Sequence, residues 1–81
     1  MEAGKKEYSV ADLEDSATAI IIEIRGGKKA AKRLADLGLK PGAEVMAIRQ
    51  ALFSGPVQIE VNGSRLVLGR GLAEKIIVAP K

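Results

Sequence analysis

Two glycines followed by two lysines, Gly26-Gly27-Lys28-Lys29, have the strongest claim to chemistry in this sequence. Glycines ahead of lysines at a helix start can form a phosphate grip, with free backbone N–H groups aimed at an anion and cations beside them. A phosphate-binding loop demands more. It needs G-x-x-x-x-G-K-S/T, so that enough N–H groups surround the phosphates and a hydroxyl reaches magnesium. Here the glycines are adjacent, Lys28 is followed by Lys29, and no hydroxyl comes next. The nucleotide motif fails. Lys28 and Lys29, with Lys32 and Arg33 a turn later, remain a basic face that could meet an anion or an acidic partner. A plain solvated face is the competing reading. Asp36, one turn after Lys32, should offset part of the charge.

The other stretches with chemical promise fall away. LGRGLAE contains G-x-G, but Glu74 stands where a third glycine belongs, and the stretch follows a hairpin instead of opening a βαβ unit. ADLEDS gathers Asp12, Glu14 and Asp15 without the spacing of a calcium loop, and reads as a solvated turn. Histidine and cysteine are both absent. That removes the usual ligands for zinc, copper and iron, any disulfide framework, and nucleophile–histidine catalysis. Ten carboxylates show no acid–base pairing, so no enzyme is expected, and no catalytic, cofactor or metal residue is assigned. In FSGPV, Phe53 is expected to plug one end of the fold. The alternative has Phe53 and Pro56 forming an exposed apolar contact for a partner. The candidate partner-binding residues are therefore Lys28, Lys29, Lys32, Arg33, Phe53 and Pro56.

These residues must be positioned by one small domain. The chain has 81 residues, so a single domain over 1–81 is expected, with 1–9 as a loosely ordered tail. Apolar residues make up 47%, almost all aliphatic, since Tyr8 and Phe53 are the only aromatics. The start, MEAGKKEYSV, has no apolar signal-peptide core, and no apolar run reaches membrane-spanning length. A soluble, cytoplasmic protein is expected. A net charge of +3 tolerates nucleic acid without demanding it. With so few aromatics, neither a base-stacking surface nor a proline-rich-peptide groove is expected.

Periodicity places the elements. Leu13 is the natural anchor of the polar start. TAIIIEI reads as a strand with Ile20, Ile22 and Ile24 on one face and Ile21 on the other, covered on both sides for part of its length. Gly26-Gly27 then turns the chain into a helix over 28–37, with Ala30, Ala31, Leu34, Ala35 and Leu37 on its apolar side. Gly38 signals its end, Pro41 blocks continuation, and LKPG fits a type II turn. EVMAIRQAL is the next strand, followed by a Ser54-Gly55-Pro56 break. VQIEV points Val57, Ile59 and Val61 inward, Asn62-Gly63 signals a type I′ hairpin, and SRLVLG returns. A single helical turn over 70–75 leads to a last strand, IIVAP. Five short strands with one helix between the first and second make a small, bent, mainly β barrel, the helix packed over one opening.

The ordered signals GG…KRLADLGLKPG, EV and SGPVQIEVNGSRLVLGRGLAEKIIV resemble the FeoA family of small ferrous-iron-transport accessory proteins, over roughly residues 10–79. The most specific piece is R-L-x-x-L-G-L-x-P-G: Arg33, Leu34, Leu37, Gly38, Leu39, Pro41 and Gly42. One departure is Asp15-Ser16, where the family commonly has glycine before the first strand; serine supports a turn as well. The resemblance implies an SH3-like β-barrel, the fold also used as the C-terminal domain of iron-dependent repressors, although this chain has no helix-turn-helix. It further implies a non-catalytic accessory or regulatory role without a cofactor. The implied partner is the cytoplasmic part of the membrane ferrous-iron permease FeoB, so the membrane is met only through that partner. The alternative is a small SH3-like barrel that binds nucleic acid or serves as a general protein interaction module. Oligomeric state is left open.

Overall fold

The alternation of apolar and polar residues becomes one antiparallel sheet. The computed structural model of the protein describes residues 7–50 and 55–81. In chain order it contains β1 (Tyr8–Ser9), a 3₁₀ turn (Val10–Asp12), β2 (Thr18–Ile24), α1 (Lys28–Asp36) and β3 (Glu44–Gln50). Then come β4 (Val57–Val61), β5 (Ser64–Leu68), the single-turn α2 (Arg70–Ala73) and β6 (Ile76–Pro80). The strands order as β1-β6-β2-β3-β4-β5. Helix α1 lies between the two long strands β2 and β3, as expected.

Two features differ from the sequence reading. The sheet does not close: β1 and β5 are unpaired with each other, so the expected barrel is a small β domain with two edges. A sixth strand also appears. Tyr8 and Ser9, assigned to a loose tail, pair with Val78 and Ile77 of β6. A reciprocal cap holds them there. Ser9 N–H donates to the Asp12 carboxylate at 2.8 Å, and Ala11 N–H donates to Ser9 Oγ at 3.2 Å. Val10, fully buried, joins Leu13 as an anchor of this segment. Outside the core, Arg25 donates to the Glu7 carboxylate at 2.6 Å and ties the chain entry to the end of β2. That hydrogen bond holds the Glu7 carboxyl below its ordinary pKa.

The hairpin follows its sequence signal closely. Val57, Ile59 and Val61 are buried. Asn62 and Gly63 take φ of 53° and 79°, the two left-handed residues of a type I′ turn. β5 then pairs with β4 in unbroken register from Val61↔Ser64 to Val57↔Leu68.

β2 follows its alternation as far as Ile22 and loses it at Glu23. Ala19 and Ile21 are the buried residues, Ile20 is half-buried, and Ile22 is 53% exposed. Ile20 and Ile22 share the face opposite Ile21, as expected, while Ile24, beyond an irregularity, packs against the core. The break after Ile22 is a bulge. Ile21 pairs with Val78 and Glu23 with Ile77, so Ile22 is an extra residue without a partner in β6. Such an insertion bends the strand and shifts the alternation beyond it, so that Ile22 and Glu23 are both exposed. A second irregularity, between Ala47 and Arg49, interrupts the β3–β4 ladder.

Helix α1 ends one residue before its expected limit. Gly38 N–H donates to Ala35 O at 2.9 Å and Leu39 N–H to Leu34 O at 2.8 Å, the paired bonds of a Schellman motif. Leu34 and Leu39 are both buried in the core. Leu37, assigned to the apolar side of the helix, is 51% exposed, because the motif hands its place in the core to Leu39. Lys40 to Ala43 follows as a type II turn, closed by Ala43 N–H to Lys40 O at 3.0 Å. Gly42 N–H then donates to Ile21 O and Ile21 N–H to Ala43 O, both at 2.8 Å, which returns the chain to β2.

Two stability outcomes follow from the backbone. Gly38 has φ of 92°, and a Cβ there would lie 2.7 Å from Asn62 Nδ2. Gly38→Ala should cost about 1–3 kcal/mol in urea unfolding. Ser16 holds φ of 70° while its N–H donates to Ala47 O at 2.7 Å. Ser16→Gly relieves the left-handed strain but adds unfolded-state entropy, so it should gain at most about 1 kcal/mol. Ser16→Val, β-branched at positive φ, should lose about 1–2 kcal/mol in the same measurement.

Candidate functional site

The sequence of α1, KKAAKRLAD, sorts its side chains by helical periodicity. Leu34 is buried and Ala30, Ala31 and Ala35 are half-buried, so this side packs toward the sheet. Lys28, Lys29, Lys32 and Arg33 are all exposed on the other side. The fold thus brings these four candidates together as one ridge. None of them forms an ion pair with a described residue; among the described residues, ion pairs join Arg25 to Glu7 and Glu23, and Lys81 to Glu44. Asp36, expected to offset the ridge, makes no ion pair with Lys32 or Arg33 either.

The start of α1 compounds the charge. Gly27, at φ of 92°, is the N-cap residue and supplies no side-chain hydrogen bond, and the first turn has no acid. Lys28 and Lys29 therefore sit against the positive end of the helix dipole, an unfavourable placement. Gly26 and Gly27 serve as the joint between β2 and α1, both with positive φ.

An apolar depression flanks the ridge on each side. One is a groove of about 490 Å³ between β2 and α1, lined by Ile22, Ile24, Ala31, Ala35 and Leu39, with Lys32 and Lys40 also bordering it. The other, about 180 Å³, lies between α1 and the β5–α2 corner, where Ala30, Leu37, Leu68 and Leu72 meet Arg33. Pro56 is exposed just before β4 and lines neither depression. Phe53 lies outside the described residues.

The sequence reading missed Ile22, Leu37 and Lys40 as surface features. Ile22 had a signal: three consecutive isoleucines, 20–22, cannot all face one side of a pleated strand. Leu37 had a weaker one, since a residue just before a C′ glycine often lies past the last regular turn.

Among the described residues, no group of three or more His, Cys, Asp or Glu is placed to hold a metal ion. No helix of the described residues is long and apolar enough to cross a membrane. The surface so formed is a cationic ridge with apolar hollows at its sides.

Charge placement sets a measurable trade. Lys28→Glu and Lys29→Glu should each raise stability by about 0.3–1 kcal/mol at low ionic strength by reversing the dipole clash. The gain, read from thermal unfolding, should shrink as salt is added.

Residues 8–80 match the family model of the FeoA domain. Putative Fe(2+) transport protein A of Methanocaldococcus jannaschii is 37% identical over 71 residues, covering 88% of this chain and 84% of that protein. The crystal structure of an iron uptake regulatory protein, FeoA, superimposes with a TM-score of 0.85 at 29% identity, covering 93% of this chain and 99% of that one. The zinc complex of Stenotrophomonas maltophilia FeoA, an SH3 domain protein, aligns with a TM-score of 0.77 at 21% identity over 89% of each chain. That likeness gives the fold as SH3-like. With the family model spanning nearly the whole chain and a relative more than a third identical, the chain belongs to the FeoA family.

Proposed function

We propose that this chain is a non-catalytic, cytoplasmic accessory protein of ferrous iron uptake. It acts by protein contact with the cytoplasmic part of an FeoB-type permease and docks through the basic face of α1. Family membership and the naming of the Methanocaldococcus relative as an Fe(2+) transport protein support the iron-uptake setting. The sequence has no His or Cys, so the chain acts on transport through its partner and not by ligating iron with imidazole or thiolate.

The observation that carries the docking reading is the uncompensated ridge of Lys28, Lys29, Lys32 and Arg33. Two of these cations oppose the helix dipole and none is neutralised by a described neighbour. Local stability favours acids at the first turn, so the charge serves something beyond the helix. A positive surface of this kind speeds and orients encounter with an acidic one.

Co-purification with the FeoB-type permease of the same genome, at low and high salt, tests this. Wild type should bind, and replacing Lys28, Lys29, Lys32 and Arg33 with Glu should weaken binding at least about tenfold. Circular dichroism should show that the variant stays folded. No binding by wild type at low salt overturns the partner; undiminished binding by the folded variant overturns the helix face.

A further inference from the structure

We propose that the groove between β2 and α1 seats one bulky aliphatic side chain of a protein partner, carried on a segment with carboxylates on both sides. This deepens the docking reading above and rests on it. Three observations meet at the groove.

The first is Ile22. With Ala19 and Ile21 turned to the core, the alternation of β2 points Ile22 to the opposite face, where it is 53% exposed. The bulge that follows turns Glu23 outward as well, and Ile22 stands as a large aliphatic group on the groove wall. The second is room. Ala31 and Ala35, one helical turn apart on the same side of α1, keep the opposite wall low, and Leu39 joins the lining. The space of about 490 Å³ readily takes a leucine-sized group.

The third is charge, which chooses the occupant. Lys32 and Lys40 border the groove, and Lys28, Lys29 and Arg33 extend the positive field along α1. The one carboxylate in the lining, Glu23, already accepts from Arg25 Nε at 3.3 Å. An apolar anchor between carboxylates therefore matches both the groove and its border. A second copy of this chain matches poorly. Its net charge is also +3, and a two-fold contact would set one basic ridge against another.

The test has two arms. In the first, the ¹⁵N-labelled full chain is titrated with a synthetic helical peptide bearing leucines flanked by glutamates. Its Leu→Ser and Glu→Lys forms are run beside it. Amide shifts should concentrate at Ile22, Ile24, Ala31, Ala35 and Leu39, and each altered peptide should bind at least about tenfold more weakly. Equal binding of the Leu→Ser peptide, shifts away from the groove, or no binding overturns the proposal. So does binding to anionic phosphatidylserine vesicles, if it needs Ile22 while the peptide does not bind.

In the second arm, Ile22→Asp and Ala31→Leu are each compared with wild type for binding to the cytoplasmic domain of the permease. Ile22→Asp puts a like charge against acidic flanks; Ala31→Leu fills the seat. Each should weaken binding at least about tenfold while the fold persists by circular dichroism. Wild-type binding that neither variant disturbs overturns the groove and spares the docking reading. Peptide binding without permease binding does the reverse, keeping the groove and removing the assigned partner.

Discussion

The joint at Gly38 is the contact on which the rest of this protein depends. Its left-handed backbone lets Gly38 N–H reach Ala35 O and Leu39 N–H reach Leu34 O, so α1 stops at Asp36 with both leucines in the core. Leu34 anchors the helix from its last turn and Leu39 anchors the chain after it. Between them the direction of α1 is decided. Once Leu34 faces the core, helical periodicity places Lys28, Lys29, Lys32 and Arg33 on the far side together. A side chain at position 38 would work against both the backbone geometry and the neighbouring Asn62 amide. A packing requirement and a surface property are thus set by the same residue.

The core is built almost entirely from aliphatic side chains, with one residue or more contributed by β2, α1, β3, β4, β5, α2 and β6. In a domain this small, the interior holds little beyond one layer of such groups. Not every isoleucine of TAIIIEI can enter it. Alternation sends Ile21 fully inside and Ile22 outward, and the bulge beyond them leaves Glu23 outside and Ile24 half-covered. The exposed isoleucine beside small helical residues makes a depression with an apolar floor. Its existence follows from the core's limited capacity as much as from the helix.

Electrostatics divides the surface. Elsewhere, Arg25 is matched with Glu7 and Glu23 and Lys81 with Glu44, while Lys40, Arg65, Arg70 and Lys75 stand apart from one another without an ion pair to a described residue. These pairs are exposed and contribute little to stability, but they keep those regions near neutral. On α1 no such matching occurs among the described residues, and the helix start adds the dipole's own positive end. Apolar hollows flank this ridge on both sides, and the docking proposed for it would let charge guide approach and buried apolar contacts hold.

Local chemistry made much of this legible from sequence. Strict alternation in Val57–Val61 and the Asn62-Gly63 dipeptide determined the β4–β5 hairpin, because a period of two and a left-handed turn leave little choice. The sorted faces of α1 and its stop at Gly38 were equally plain, and so was the cationic ridge. What the sequence could not decide was which competing apolar group would be admitted to the interior. Leu39 displaced Leu37, the Ile21 side of β2 and not the Ile22 side was taken into the core, and Val10 joined Leu13 in anchoring the polar start. Each outcome depends on how much space the opposite side of the core offers, a property of the assembled sheet. The ridge was therefore written in the chain, whereas the grooves beside it arose only when the core had taken what it could hold.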